Sequence, residues 1–344
     1  MLTSDFAYEL PDDLVAQAPI EPRDASRLMV LHRATGEIEH RVFHEIGEYL
    51  RPGDLLVTND TRVIPARITG KRKTGGVVEL LLLKKRDGAC WEALVKPGRV
   101  KEGERVYLDQ PGRQLPGGDV DLVEVGEECG TGGRVVRFSQ GDAVERLGQV
   151  PLPPYIHQSL TDGERYQTVF SRVEGSAAAP TAGLHFTPAL LRELKDEGVR
   201  VTSVTLHIGL DTFRPVKDAD PKMHQIHSEY AELGADTAAA ISRTRAYGGR
   251  VVCVGTTSVR TVEAVAAMGA GAVMPFTGNV NLFILPGFEF KVADAMVTNF
   301  HLPRTTLLML VAAFGSREFI LRAYQEAIER NYRFYSFGDA MLIM

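Results

Sequence analysis

The sequence predicts an α/β protein: a mostly parallel-sheet, barrel-like α/β main domain carrying an inserted small antiparallel β-barrel. Three observations carry that expectation. Residues 54–137 read as many short strands separated by Gly and Pro punctuators, the pattern of a small barrel or sandwich. From residue 187 onwards helix and strand patterns alternate, as a parallel sheet with crossover helices requires. Between the two lies Val150-Pro151-Leu152-Pro153-Pro154, where successive prolines exclude helix and mark a domain hinge.

In the first block strands are expected at residues 54–57, 77–83, 91–95, 105–108, 120–125 and 134–138. Thr74-Gly75-Gly76, Lys96-Pro97-Gly98, Gln110-Pro111-Gly112 and Pro116-Gly117-Gly118 supply the turns. In the second block Thr187 caps a helix running to residue 197, with Pro188 in its first turn and Gly198 as its stop, and a strand follows over 200–208. A helix over 235–247 closes at Gly248-Gly249. The next segment, Val251-Val252-Cys253-Val254, is apolar without alternation, as in a strand covered on both faces. Helices over 257–268, 305–314 and 317–330 complete the pattern. The stretch before Asn59 has too few elements for its own core, so it completes the α/β domain. The expected division is therefore residues 1–60 with 151–344 as the α/β catalytic domain and 61–150 as the inserted barrel.

The 344 residues, 44% hydrophobic and 24% charged, suffice for about two domains. Met1-Leu2-Thr3-Ser4-Asp5 lacks a basic leader, and the apolar run over 307–314 is far shorter than the ~20 residues of a membrane span. Neither secretion nor membrane insertion is expected. Cys90, Cys129 and Cys253 are odd in number and widely spaced, so they suggest neither disulfides nor a zinc cluster, and a reducing cytoplasm fits. A net charge of -5 excludes bulk coating of nucleic acid, so any RNA contact must be a local patch. Arg62, Arg67, Lys71, Arg72 and Lys73 form an acid-free basic run, followed by Lys84, Lys85 and Arg86. It reads either as an RNA surface or as a solvated strand face. The acids Asp119, Asp121, Glu124, Glu127 and Glu128 make the block's charge asymmetric, which favours the former.

Four segments carry candidate chemistry. Gly255-Thr256-Thr257-Ser258 joins a strand to a helix, so free N–H groups, hydroxyls and the helix dipole face an anion; Arg260, one turn on, has the fork to clamp a carboxylate. The alternative is an ordinary capped turn. Ala179 to Thr187 places His185, Phe186 and two threonines ahead of a helix, His185 being either an acid-base group or a buried histidine bonded to backbone. His207 sits near the carboxyl end of a strand, where open α/β sheets hold ligands. Asn299 and His301 precede the helix at 305. His224 and His227 are surface residues or a metal pair, but no third ligand follows by spacing, and no metal is expected. The aromatics of 332–341 either stack a base or pack a last strand into the core.

Taken together, Phe6-Ala7-Tyr8-Glu9-Leu10-Pro11, Arg23-Asp24-Ala25-Ser26-Arg27-Leu28, Asn59-Asp60-Thr61-Arg62-Val63-Ile64-Pro65-Ala66-Arg67, Pro180 to Phe186, Gly255 to Arg260, Asn299 to Pro303 and Tyr332 to Ile343 resemble one family across the whole chain. It is that of the S-adenosylmethionine:tRNA ribosyltransferase-isomerases of queuosine biosynthesis. Asp211 stands where that family often has Gly, and residues 278–281 differ from its usual polar run before Phe283.

The resemblance implies a monomeric α/β protein with an inserted β-barrel. It also implies transfer of the ribosyl group of S-adenosylmethionine to the aminomethyl group of a 7-deazaguanine at the tRNA wobble position, giving epoxyqueuosine with adenine and methionine released. Such chemistry needs a base at the carbon beside the sulfonium and an acid for the departing adenine. His185, His207 and His301 are the candidates, with Glu229 as an alternate base and Asp60 as partner of the aminomethyl ammonium. Thr181, Gly183, Gly255, Thr256, Thr257 and Arg260 are expected around the cofactor, with Phe186 or Phe213 facing the sulfonium. Two rivals are weaker: a methyltransferase lacks its Gly-rich turn here, and a barrel-borne RNA-binding module leaves the histidine loops unexplained.

Overall fold

The computed structural model describes residues 1–108, 121–129, 133–209 and 215–344. The chain divides into two compact units, residues 1–62 with 153–344, and residues 63–152.

The larger unit is built on one nine-stranded sheet. Its strands are β1 (Arg27–His32), β2 (Glu37–Val42), β3 (Leu55–Asn59), β12 (Arg200–Leu206), β13 (Glu229–Leu233), β14 (Val251–Val254), β15 (Phe276–Val280), β16 (Ala295–Asn299) and β17 (Ala340–Ile343). The order is β15-β13-β12-β3-β14-β16-β17-β1-β2. The expectation of a mostly parallel, barrel-like sheet is corrected here: four neighbour pairs are parallel and four antiparallel, and β15 and β2 end an open sheet. The central strands β12, β3, β14 and β16 are parallel; β3, β14 and β16 are buried along their whole length and β14 is apolar throughout, whereas β12 mixes Val201, Val204 and Leu206 with Thr202, Ser203 and Thr205. The flank β13 instead alternates buried and exposed residues, and β15 is mostly polar, so neither carries the buried-strand signal in the sequence.

Both faces of the central sheet are covered. Leu55, Val57, Val251 and Cys253 point into a core shared with α3 (Ala235–Ala246), α4 (Thr256–Met268), α5 (Thr306–Gly315) and α6 (Arg317–Glu329). Leu56, Val252 and Val254 point the other way, onto α2 (Pro188–Asp196) and the 3-10 helix Phe43–Tyr49. The helix boundaries follow local chemistry. Thr187 Oγ1 accepts the Leu190 N–H at 3.1 Å with Pro188 in the first turn, and Leu190 and Leu194, one turn apart, bury their side chains. Thr305 Oγ1 caps α5 in the same way through Leu308, at 3.3 Å. No helix is long and apolar enough to cross a membrane among the described residues.

The smaller unit is a closed six-stranded antiparallel barrel of β5 (Arg67–Arg72), β6 (Val77–Lys85), β7 (Cys90–Lys96), β8 (Arg105–Leu108), β9 (Leu122–Cys129) and β10 (Gly133–Phe138), followed by the short α1 (Ala143–Leu147). Alternate residues such as Ile68, Leu80, Ala93, Val106, Val123 and Val136 fill it. β5 is absent from the strand pattern because charged residues alternate there with Ile68 and Gly70, and the expected turns at 110–112 and 116–118 lie outside the described residues. The remaining strands, β4 (Thr61–Val63) and β11 (Val173–Ser176), form a two-stranded ribbon.

Candidate active site

A cleft opens in the larger unit at the carboxyl ends of β14 and β16, the edge where open α/β sheets hold ligands. Gly255, Thr256 and Thr257 form one wall, Thr298 to His301 and Thr305 a second, and Pro180, Thr181 and Ala182 a third, with Tyr155 and Tyr335 alongside.

The first wall exists because the chain leaves β14 through Gly255 at φ 89°, a backbone conformation that costs L-residues dearly. No side chain caps α4, so its first N–H groups face the cleft with the positive end of the helix dipole. Asn59 fixes the turn from behind. Its amide oxygen accepts the Leu206 and Thr61 N–H groups at 3.0 and 3.1 Å, and its amide nitrogen donates to Leu206 O and Thr257 Oγ1 at 3.0 and 3.2 Å. Asn59 is a residue that single-sequence reasoning placed only inside a motif; its role emerges from three strand ends meeting.

His301 lines the cleft. Nε2 bonds Thr298 Oγ1 at 2.7 Å, while Nδ1 has no hydrogen bond among the described residues. Its backbone is pinned by Tyr324, whose hydroxyl accepts the His301 N–H at 2.8 Å, and by the Tyr8 hydroxyl, which donates to its carbonyl. Burial pushes the imidazole down to about 3, so it is neutral near pH 7.

His185 lies behind the cleft and does not line it. Nδ1 bonds Ser26 Oγ at 2.7 Å, Nε2 bonds Asn299 Nδ2 at 3.1 Å, and the ring stacks on Phe43 at 5.0 Å. Burial, reinforced by Arg333 and Arg23, pushes it down to about 3. His207 is also away from the cleft lining: Nδ1 bonds Thr61 Oγ1 at 2.8 Å, the ring stacks on Tyr230 at 5.5 Å, and burial lowers its pKa. The three histidine loops thus meet unequally, His301 in the cleft, His185 one residue behind it, and His207 beside a neighbouring strand end.

The other sequence candidates divide likewise. Thr181 lines the cleft and donates to Asn299 Oδ1 at 3.0 Å. Gly183 is packed where a Cβ would sit 2.6 Å from the Phe170 ring, and Phe186 is a core residue edge-on to Phe43 at 5.0 Å; neither lines the cleft. Phe213 and Asp211 lie outside the described residues. Arg260 is buried and paired with Glu229, whose other oxygen accepts the Gly209 N–H at 3.0 Å, and neither side chain lines the cleft. Asp60, also buried, accepts from Thr205 Oγ1 and from the largely exposed Arg172, both at 2.7 Å.

The basic run is split. Arg62 belongs to the larger unit and pairs with Glu164, while Arg72 makes a two-pronged pair with Glu104 across the barrel surface. Arg67 reaches Leu152 O at 3.4 Å with its Nε unpartnered, and Lys71 and Lys73 project from the exposed end of β5 and its turn. Among the described residues no group of three or more His, Cys, Asp or Glu side chains is placed to hold a metal.

Comparison with known proteins bears on the whole chain. A crystal structure of an S-adenosylmethionine tRNA ribosyltransferase from Thermotoga maritima matches 99% of this chain and 100% of its own, with a TM-score of 0.58 and 41% identity. The curated S-adenosylmethionine:tRNA ribosyltransferase-isomerases of Symbiobacterium thermophilum and Dehalococcoides mccartyi are 55% and 53% identical, over 100% of both chains in each case. Residues 3–343 match the family described as "Queuosine biosynthesis protein", and the chain belongs to that family.

Proposed function

We infer that this chain is an S-adenosylmethionine:tRNA ribosyltransferase-isomerase of queuosine biosynthesis. The observation that carries the reading is end-to-end identity above half with relatives of that activity. The chain transfers and isomerises the ribosyl group of S-adenosylmethionine onto the 7-aminomethyl group of 7-aminomethyl-7-deazaguanine at the tRNA wobble position. Epoxyqueuosine-tRNA, adenine and methionine are the products. It works as a cytoplasmic monomer, the α/β unit carries the catalysis, and S-adenosylmethionine is a co-substrate with no metal required.

In this reading the cleft holds S-adenosylmethionine. The uncapped amino terminus of α4, with Thr256 and Thr257, receives its carboxylate. His301 is the acid-base group: it lines the cleft, is neutral near pH 7 and keeps one ring nitrogen available. Asp60 receives the aminomethyl ammonium, and the pair of Glu229 and Arg260 supports the Gly209 backbone beside the cleft residue Ile208. Arg67, Lys71, Arg72 and Lys73 of the barrel contact tRNA phosphates, and Arg62 of the larger unit is a further RNA contact. The test is incubation with labelled S-adenosylmethionine and substrate tRNA. Adenine plus methionine is expected; S-adenosylhomocysteine would instead mean methyl transfer, and no turnover would mean binding alone.

A further inference from the structure

Two threonines in the cleft wall are oriented in opposite senses, and the direction of each is set by backbone atoms that have no choice of role. A main-chain carbonyl only accepts, so the Asn299 amide nitrogen, which donates to Tyr335 O at 3.3 Å, cannot be exchanged with its oxygen. The same nitrogen donates its second hydrogen to His185 Nε2 at 3.1 Å. Nε2 is therefore the unprotonated ring nitrogen, and Nδ1–H donates to Ser26 Oγ at 2.7 Å. Asn299 Oδ1 is left facing Thr181, whose hydroxyl must donate to it at 3.0 Å. The Thr181 proton is thus turned away from the cleft, and its oxygen offers only lone pairs there.

Thr257 is the reverse case. Asn59, held by the backbone of Leu206 and Thr61, donates its amide N–H to Thr257 Oγ1, so the Thr257 hydroxyl proton is free to donate into the cleft beside the uncapped N–H groups of α4.

We propose that Thr181 Oγ1 is a fixed acceptor that recognises an N–H donor of the cleft's ligand, with Asn299 and His185 as positioning residues that hold its polarity. Donors and acceptor then divide the cleft, the α4 terminus and Thr257 for an anionic group and Thr181 for an amino group. S-adenosylmethionine offers two such groups, the α-ammonium and the adenine 6-amino group. His185 acts by fixing the Asn299 amide, not by exchanging a proton, because both its ring nitrogens are committed to that chain. This inference rests on the reading of the cleft as the S-adenosylmethionine site.

Calorimetric binding of S-adenosylmethionine to the full-length protein tests it. Thr181→Val, which keeps the shape and removes the acceptor, should weaken binding roughly tenfold, and Thr181→Ser should restore it. The penalty should vanish with the partner that lacks the recognised group: the analogue without the α-amino group, or the 6-oxopurine analogue. Unchanged affinity in Thr181→Val, or a penalty persisting with both analogues, overturns the inference while leaving the site assignment intact. Failure of the wild-type protein to bind S-adenosylmethionine removes both. For the positioning role, His185→Gln, whose amide oxygen can accept from Asn299, should keep the KM for S-adenosylmethionine. His185→Ala should raise it with the tRNA KM and the pH profile of kcat unchanged. Loss of a limb of that pH profile in either variant would show that His185 exchanges protons and overturn its assigned role.

Discussion

The cleft edge of the nine-stranded sheet and the outer surface of the barrel handle charge and polarity in different ways. Along the sheet edge, Asn59, Asn299 and His185 each satisfy several partners in one sense only, and Glu229 meets Arg260 away from water, with Arg260 Nη2 left unpartnered among the described residues. On β5 of the barrel, Arg72 and Glu104 pair in reach of solvent, and Lys73 stands in an exposed turn. Desolvation explains the difference. A buried polar group left unpaired is costly, so burial forces a fixed network, whereas a surface group trades a protein partner for water at little cost. The lesson is that a preset site belongs at the sheet edge and an adaptable, salt-sensitive one on the barrel.

The strongest way to break this contrast is to remove half of the buried pair. Arg260→Ala takes one buried cation away from Glu229 and should cost about 3–5 kcal/mol of stability in chemical denaturation. A loss as small as that of a surface pair would mean that water reaches Glu229. Next in size, His301→Ala should lower kcat by a factor of ~100 with tRNA affinity retained, measured in single turnover. Wild-type turnover in that variant would remove His301 from proton transfer and direct attention to Glu229 and Asp60.

On the barrel, replacing Arg67, Lys71 and Lys73 together by Gln should weaken tRNA binding and reduce the slope of log affinity against log salt by about 1 per charge in contact. An unchanged slope would make the strip a solvated face. Arg72→Ala should leave the melting temperature where it is, because its pair is exposed to screening. The acid limb of stability tests the buried side of the comparison. His185 and His301 lie at about 3 in the fold against an ordinary 6.5, so below 6.5 the unfolded chain takes up protons that the native one refuses. Their contribution is intact above 6.5 and is lost as the pH falls towards 3. His185→Gln should therefore show a shallower acid decline in melting temperature than the wild type, and parallel curves would contradict the burial of that ring.

Much of the architecture is legible in the sequence where local chemistry and burial agree. Val251–Val254 is covered on both faces and shows a run of apolar residues without alternation, and Thr187-Pro188 caps α2 by its own hydroxyl. β13 and β15 are not legible, since one-sided or polar strands at a flank owe their pairing to neighbours that lie far away in sequence. Their antiparallel pairing is also what makes the sheet mixed and open.

For the site, the sequence by itself determines which loops matter, because histidines, threonines and a glycine-led helix start are expensive outside function or packing, and the motifs of one family follow in order along the chain. Only the tertiary structure decides which of those residues reach the cleft. His185, His207 and His301 look alike in the sequence, yet the first two rings are held by residues more than a hundred positions away, Ser26 and Asn299 for His185 and Thr61 for His207, while the His301 ring bonds Thr298 three residues before it. Spacing along the chain carries no record of such partners. Whether a histidine is a proton carrier or a fixed strut depends on how many of its nitrogens those partners occupy.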